Sequence, residues 1–272
     1  MDIDMRFTAV AIPLTYLGFA ALERVPGLQF RKSRLLRPSF LTDVGWYASA
    51  VLLTLAFGPT SQGLARAVEA AGIPTLASAN LSLWVLVPLA VALYDLLTFV
   101  SHRILHRVGW LWRVHKVHHS SRVLDWLATT RAHASEHLFR GLPAQLVLFA
   151  IGFPVEAVAL GISVYAAFAT LNHSSLRLDL RFLEGVFVTP RLHRLHHVPE
   201  TTDRNFAAVF SFWDRIAGTL VVKDTAPDEP LGVPGEVDSY PQVWWRQLVE
   251  PLRTSRRRAL APVEGAISLE RS

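Results

Sequence analysis

Four stretches of the chain, 7–22, 44–65, 81–100 and 141–171, are almost continuously apolar. Each of the first three is close to the roughly 20 residues a helix needs to cross about 30 Å of hydrocarbon, which predicts three membrane-spanning helices. The second contains an internal Gly58-Pro59. The fourth is longer, and as one straight helix it would measure about 46 Å at about 1.5 Å per residue. Gly152, Phe153 and Pro154 lie near its middle, and Pro breaks a helix by removing a donor and clashing with the preceding turn. The pattern therefore predicts a helical hairpin with short, re-entrant arms that returns the chain to its starting side. Beyond residue 172 the chain is mixed and polar, with a Pro/Gly/Asp-rich stretch over 226–235. The tail "YPQVWWRQLVEPLRTSRRR" reads either as a helix lying at the headgroup surface or as a loosely packed end.

Composition supports a membrane class: 51% of the residues are hydrophobic, 18% are charged, and mean hydropathy is positive. Arg24, Arg31, Lys32, Arg34 and Arg37 lie between the first two spans, whereas Arg66, offset by Glu69, lies between the second and third. The positive-inside rule places 24–40 in the cytoplasm and 66–80 outside, so the third span delivers His102 and the residues after it to the cytoplasmic side. The formal charge of +5 sits in blocks beside apolar runs, which suits anionic lipid and argues against nucleic acid. "MDIDMR" opens with two aspartates instead of the positive charge of a secretory signal, so the first apolar run reads as a retained span. The fold expected is an all-α, multi-pass integral membrane protein of about three transmembrane helices plus a helical hairpin. Its divisions are 1–94 (transmembrane helices and basic loop), 95–222 (catalytic domain) and 223–272 (cytoplasmic interfacial tail).

The chain has no cysteine, which excludes disulfides, iron-sulfur clusters and thiolate-held zinc or haem, so any metal must be held by nitrogen and oxygen. All 11 histidines fall between His102 and His197. They group as His102 and His106; His115, His118 and His119; His133 and His137; His173; and His193, His196 and His197. Spacings of three and four put side chains on one helical face, so H-x3-H and two copies of H-x2-H-H can each aim imidazoles at one point. Polar packing at a membrane interface gives no reason to repeat the triplet. Eight clustered imidazoles exceed the three or four ligands of one zinc and suit two metal ions, for which iron, zinc and copper are all open. His173 is a further candidate ligand, and His133 and His137 stand between supporting and ordinary interface roles. Asp95, an acid inside an apolar span, is expected to accept a hydrogen bond from a ligating ring. Asp125, Glu136, Asp203 and Asp214 are further acids near the boxes.

"DLLTFVSHRILHRVGWLWRVHKVHHSS", "ATTRAHASEH", "TPRLHRLHH" and "DRNFAAVFSFWDRIAGTL" together resemble the fatty acid hydroxylase and sterol desaturase superfamily of integral-membrane, non-haem di-iron oxygenases, from about 95 to 220. The resemblance implies that His102, His106, His115, His118, His119, His193, His196 and His197 hold two irons. His173 stands where members place a further histidine, and His133 joins the set as an additional candidate. Arg131, His133 and Glu136 match an R-x-H-x-x-E element, and Asp95, Glu136 and Asn205 are candidates to support the ligands. Ala134, Ala207 and Ala217 replace a usual Pro, Gly and Phe, and "NHSS" replaces a usual His-Ala-Asn; none of these removes a ligand. The implied activity is O2-dependent hydroxylation, or desaturation, of a C–H in a fatty acyl, sterol or isoprenoid lipid. No flavin, dinucleotide or haem signature is present, so electrons would come from a separate reductase or electron carrier. Two other classes use membrane histidines. A bis-histidine haem protein would want single histidines on facing spans, and a zinc-dependent hydrolase, for which no H-E-x-x-H is present, or a metal-ion carrier would want fewer ligands or mid-span ones.

Overall fold

The computed structural model describes residues 5–30, 36–72, 76 and 81–253, and among these the regular structure is helical apart from two isolated bridges, Gln29 with Leu176 and Phe187 with Phe210. The helices are α1 (Met5–Leu22), α2 (Phe40–Ala70), α3 (Leu83–Arg107), α4 (Gly109–His119), α5 (Ala134–Phe139), α6 (Gly141–Ala150), α7 (Val155–His173), α8 (Pro190–His197), α9 (Phe212–Ile216) and α10 (Trp244–Val249). Three are long and apolar enough to cross a membrane: Phe40–Val68, Leu83–Arg107 and Val155–His173. This differs in detail from the sequence pattern. The apolar helix over the first region, Val10–Leu22, is shorter, while one arm of the anticipated hairpin is itself of spanning length.

The hairpin's unequal arms reflect where its turn falls. Gly152 takes a left-handed φ of 83° at the end of α6. Its N–H bonds the Phe149 carbonyl and the Phe153 N–H bonds the Leu148 carbonyl, the paired closure of a Schellman cap. Pro154 then fixes an extended residue before α7. Ten residues precede this stop and 19 come after it, so α6 is about 15 Å long and α7 about 28 Å.

The histidine-bearing ends of α3 and α7 therefore lie together. The end of α1 joins them, since the chain after it pairs with the chain after α7 through Phe30 N–H to the Ser175 carbonyl and Arg177 N–H to the Leu28 carbonyl. The beginning of α2 is there too, because Asp43 pairs with Arg131. Below this level Ala90, Tyr94, Leu148, Phe149 and Ala157 form the core between α3, α6 and α7. Gly161 lets α3 and α7 approach closely; a Cβ there would come within 3.1 Å of the Ala90 Cβ.

Residues 231–252 are packed more firmly than a surface helix or a loose tail would be. Leu231, Val233 and Tyr240 are buried, and Gln247, fully buried, accepts a 2.7 Å hydrogen bond from the Trp46 indole. Trp244 packs edge-on against Trp46, whereas Trp245 is exposed. Arg31, Lys32, Arg34, the acidic start of the chain and the basic run after 253 lie outside the described residues. Arg37 is buried in ion pairs with Asp43 and Asp125, so its charge does not face lipid.

Candidate metal centre

The end of α3 carries His102 and His106, separated by one helical turn. A sharp corner at Val108 leads into α4, which presents His115, His118 and His119. α8 is started by Thr189, whose hydroxyl accepts from the Leu192 N–H, and by Pro190 in the first turn, and it presents His193, His196 and His197. α7 ends at His173. All nine rings are buried.

They form two groups rather than one: His102, His106, His115, His119 and His196, and then His118, His173, His193 and His197. The adjacent pairs His118-His119 and His196-His197 are divided between the groups, because consecutive helical residues point about 100° apart. α4 and α8 thus each contribute to both groups, which explains why the H-x2-H-H triplet occurs on each.

Within each group the Nε2 atoms face one another. In the first, His102 Nε2 lies 2.9 Å from His115 Nε2 and 3.0 Å from His196 Nε2, and His119 Nε2 lies 3.2 Å from those of His106 and His115. In the second, His173 Nε2 lies 3.3 Å from His118 Nε2 and 3.2 Å from His193 Nε2, which is 3.2 Å from His197 Nε2.

The opposite ring nitrogens decide what these contacts are. Nδ1 of His102 is 2.7 Å from the Phe206 carbonyl, that of His118 3.0 Å from the Arg131 carbonyl, that of His173 2.8 Å from the Ala169 carbonyl and that of His196 2.7 Å from the Arg204 carbonyl. A carbonyl only accepts, so in these four rings Nδ1 carries the proton, and in the neutral ring Nε2 is a lone pair. Lone pairs converging at about 3 Å repel unless a cation lies between them. Two nitrogens held at about 2.1 Å from one ion and roughly perpendicular to each other stand about 3.0 Å apart, the spacing seen here. The donor set therefore fits two metal ions held by neutral imidazoles. Burial keeps the rings outside the spans neutral: it holds His115, His118, His119, His193 and His197 well below the ordinary imidazole range and pushes His196 down to about 3.

The remaining Nδ1 atoms distinguish the groups. His106 Nδ1 is 3.1 Å from Asp203, His119 Nδ1 is 3.1 Å from the Thr202 hydroxyl, and His115 Nδ1 is 3.1 Å from the Glu136 carboxylate. Four rings of the five-histidine group thus have an Nδ1 partner beyond their own helix, and His115 Nδ1 lies beside Glu136 without hydrogen-bonding to it. In the four-histidine group, Nδ1 of His193 and of His197 has no hydrogen-bond partner among the described residues, and His173 Nδ1 is tied to its own helix.

Other candidates lie elsewhere. His133 is outside both groups: it caps α5 by accepting from the Ser135 N–H, and its Nε2 is 3.1 Å from the Leu248 carbonyl. His137 is not in either group. Asp95 reaches no imidazole; its carboxylate accepts from the N–H groups of Ala208, Val209 and Phe210 at 3.2, 3.0 and 2.9 Å. Asp214 accepts from Phe206 and Ala207 N–H in the same loop. Asn205, with a left-handed φ of 53°, ties this loop to the Leu192 and Val221 carbonyls. These three side chains therefore shape the segment whose Phe206 carbonyl holds His102. Asp125 pairs with Arg37. Thr202 and the carbonyl partners carried no sequence signal, since a backbone acceptor is independent of residue type.

The fatty acid hydroxylase family profile matches residues 87–219, which hold all nine converging histidines. Among curated proteins, the chain is 30% identical over 165 residues to the ornithine lipid hydroxylase OlsE of Rhizobium tropici, covering 60% of this chain and 49% of that protein. It is 30% identical over 128 residues to an alkylglycerol monooxygenase of Caenorhabditis elegans, covering 46% of this chain and 25% of that one. A cholesterol 25-hydroxylase-like protein of Danio rerio is 31% identical over 133 residues, 47% of this chain and 52% of its own. The chain thus spans about half the length of the first and third relatives and a quarter of the second. No solved structure gives a significant match.

Proposed function

We propose that this chain, whose residues 87–219 match the fatty acid hydroxylase family profile, is a membrane-bound di-iron hydroxylase acting on a long-chain lipid. His102, His106, His115, His119 and His196 would hold one iron and His118, His173, His193 and His197 the other. The observation that carries the reading is the convergence of proton-free Nε2 atoms in two buried groups. Bound iron supplies the one-electron and O2 chemistry that side chains lack. The overall reaction would insert one oxygen atom of O2 into a C–H bond and reduce the other to water, with two electrons and two protons from outside.

This chain's own residues do the positioning. The Phe206, Arg131 and Arg204 carbonyls hold the Nδ1 protons of His102, His118 and His196, fixing the tautomer that leaves Nε2 free and aiming the rings. Asp203, Thr202 and Glu136 stand beside His106, His119 and His115. The apolar interior between α3, α6 and α7 lies beneath the histidines and excludes water from the reacting C–H. Two of the named relatives carry the names of an ornithine lipid and of alkylglycerols, which supports a polar lipid with a long alkyl chain as substrate, while the third is named for cholesterol. A separate reductase or electron carrier would deliver electrons at the histidine-bearing side, which the charge bias of the sequence assigns to the cytoplasm.

Haem and zinc readings fit less well. Axial imidazole nitrogens of one haem stand about 4 Å apart across the ring plane, whereas these close to 2.9–3.3 Å in groups of five and four. Five nitrogens also exceed four-coordinate zinc. The test is to purify the protein from iron-replete cells, count metals and profile lipids of the host under 18O2. Two irons per chain, no Soret band and one 18O in a new hydroxylipid are expected. Haem, or zinc without labelled product, would overturn the reading.

A further inference from the structure

The two histidine groups are not equally braced, and the brace of the weaker one begins outside the family-matched region. Among the described residues, His118 has the one Nδ1 tie in the second group that leaves its own helix, a 3.0 Å contact with the Arg131 carbonyl. Whatever fixes that carbonyl therefore orients the ring through which α4 joins the group.

Arg131 is fully buried, in the segment between α4 and α5. Its Nε donates to the Asp43 carboxylate of α2 at 2.5 Å, and its Nη1 reaches the Gln242 side chain at 3.1 Å. Asp43, fully buried as well, is 2.5 Å from Arg37 Nη2 through its second oxygen. Arg37 in turn forks onto Asp125 at 2.5 and 2.7 Å. Asp125 accepts from the Leu127 and Ala128 N–H groups, and Thr130 Oγ1 donates to the Asp43 carbonyl. The network thus holds 125–131 at both ends. Gln242 also donates to the Ser120 carbonyl at the end of α4, one residue past His119. Arg37 and Arg131 balance Asp43 and Asp125, so removing one acid leaves a buried positive charge unmatched.

Resting on the di-iron reading above, we propose that Asp43 is a positioning residue for the four-histidine group: through Arg131 it sets the carbonyl that orients His118. The five-histidine group, four of whose rings are held by residues 202–206 rather than by Arg131, keeps its ion without Asp43. Loss of Asp43 loosens one ion and leaves the other as tightly held as before.

The experiment reconstitutes full-length protein in detergent with ferrous ion under argon and follows release to ferrozine, with iron counted per chain. Wild-type protein is expected to hold two irons. Asp43→Asn should release one of them about 10-fold faster, at the lower end for outer partners of metal ligands because it acts at one remove. It should retain the other at the wild-type rate. His118→Ala should hold one iron, and adding Asp43→Asn to it should not accelerate release further. Equal loosening of both irons, unchanged release of both, or further acceleration in the His118→Ala background would overturn the proposal. If Asp43→Asn does not yield monodisperse protein, Arg131→Lys, which retains the charge but loses the forked geometry, is read against the same outcomes. Wild-type protein holding fewer than two irons would instead overturn the di-iron reading itself.

Discussion

Asp95→Asn offers a quantitative test of how the centre is supported. The carboxylate Oδ1 accepts from the Ala208 and Val209 N–H groups and Oδ2 from that of Phe210. An asparagine can keep the first two bonds at most, because its amide nitrogen must then face the Phe210 N–H, donor against donor. Hydrogen bonds to a charged acceptor contribute roughly 1.5–3 kcal/mol, and a buried donor left unmet costs roughly 1–3 kcal/mol. With the two surviving bonds weakened to neutral ones, about 3 kcal/mol is expected. For a chain of this size that corresponds to an apparent melting temperature lowered by about 6–12 °C. The loop so loosened carries the Phe206 carbonyl that holds His102, so iron should be bound about 10-fold more weakly as a consequence. The assay measures melting in detergent and iron retention together, with the exposed Asp228→Asn as control. A fully stable Asp95→Asn with weakened iron would refute the loop argument and indicate direct contact with a ligand. Wild-type values for both would remove Asp95 from the support of the site.

The geometry carries four further expectations. His118→Ala and His196→Ala, from different groups, should each abolish turnover and leave one iron per chain in membrane-inserted protein; full activity in either would sink the assignment. Glu136→Gln, which cannot balance the Arg140 guanidinium 3.3 Å away, should lower turnover about 10-fold or more while leaving His119 and its group folded, checked by turnover against iron content. In metal-free protein the buried rings outside the spans bind protons less readily than in the unfolded chain. Their contribution is therefore neutral above about pH 6.5 and becomes destabilising as pH falls below it, with His196 resisting protonation to about pH 3. Unfolding midpoints at stepped pH should fall below about 6.5, and flat midpoints down to pH 4 would contradict it. Cysteines introduced at Arg107 and Leu178 should label from one side of the membrane and one at Ala71 from the other; labelling of the first two from opposite sides would refute the hairpin.

Much of the centre is legible along the chain because helical spacing is a local property. H-x3-H and the two H-x2-H-H triplets place their rings on single faces wherever the helices go, and the Gly152-Phe153-Pro154 break marks the stop that returns His173 to them. Residues whose role depends on what lies opposite were not legible. Asp95 looked like a partner for an imidazole because an acid in an apolar span demands one, but three backbone N–H groups of a distant loop meet that demand. His133 matched a motif position, yet it caps a helix. The tail's tryptophans suggested a lipid surface, and the structure turns one of them onto Trp46.

Local pattern alone thus determines that the chain is helical, that it enters a membrane, and that its histidines are numerous enough for two ions, since apolar length and residue spacing belong to single segments. How the nine rings divide, five and four with neighbouring histidines parted, is decided only when α3, α4, α7 and α8 meet. The same holds for the brace from Asp43, which lies 88 residues from Arg131. Such contacts arise from the packing of elements that carry no information about one another in sequence. The burial that keeps the imidazoles neutral and the carbonyls that fix their protons likewise exist only in the folded chain.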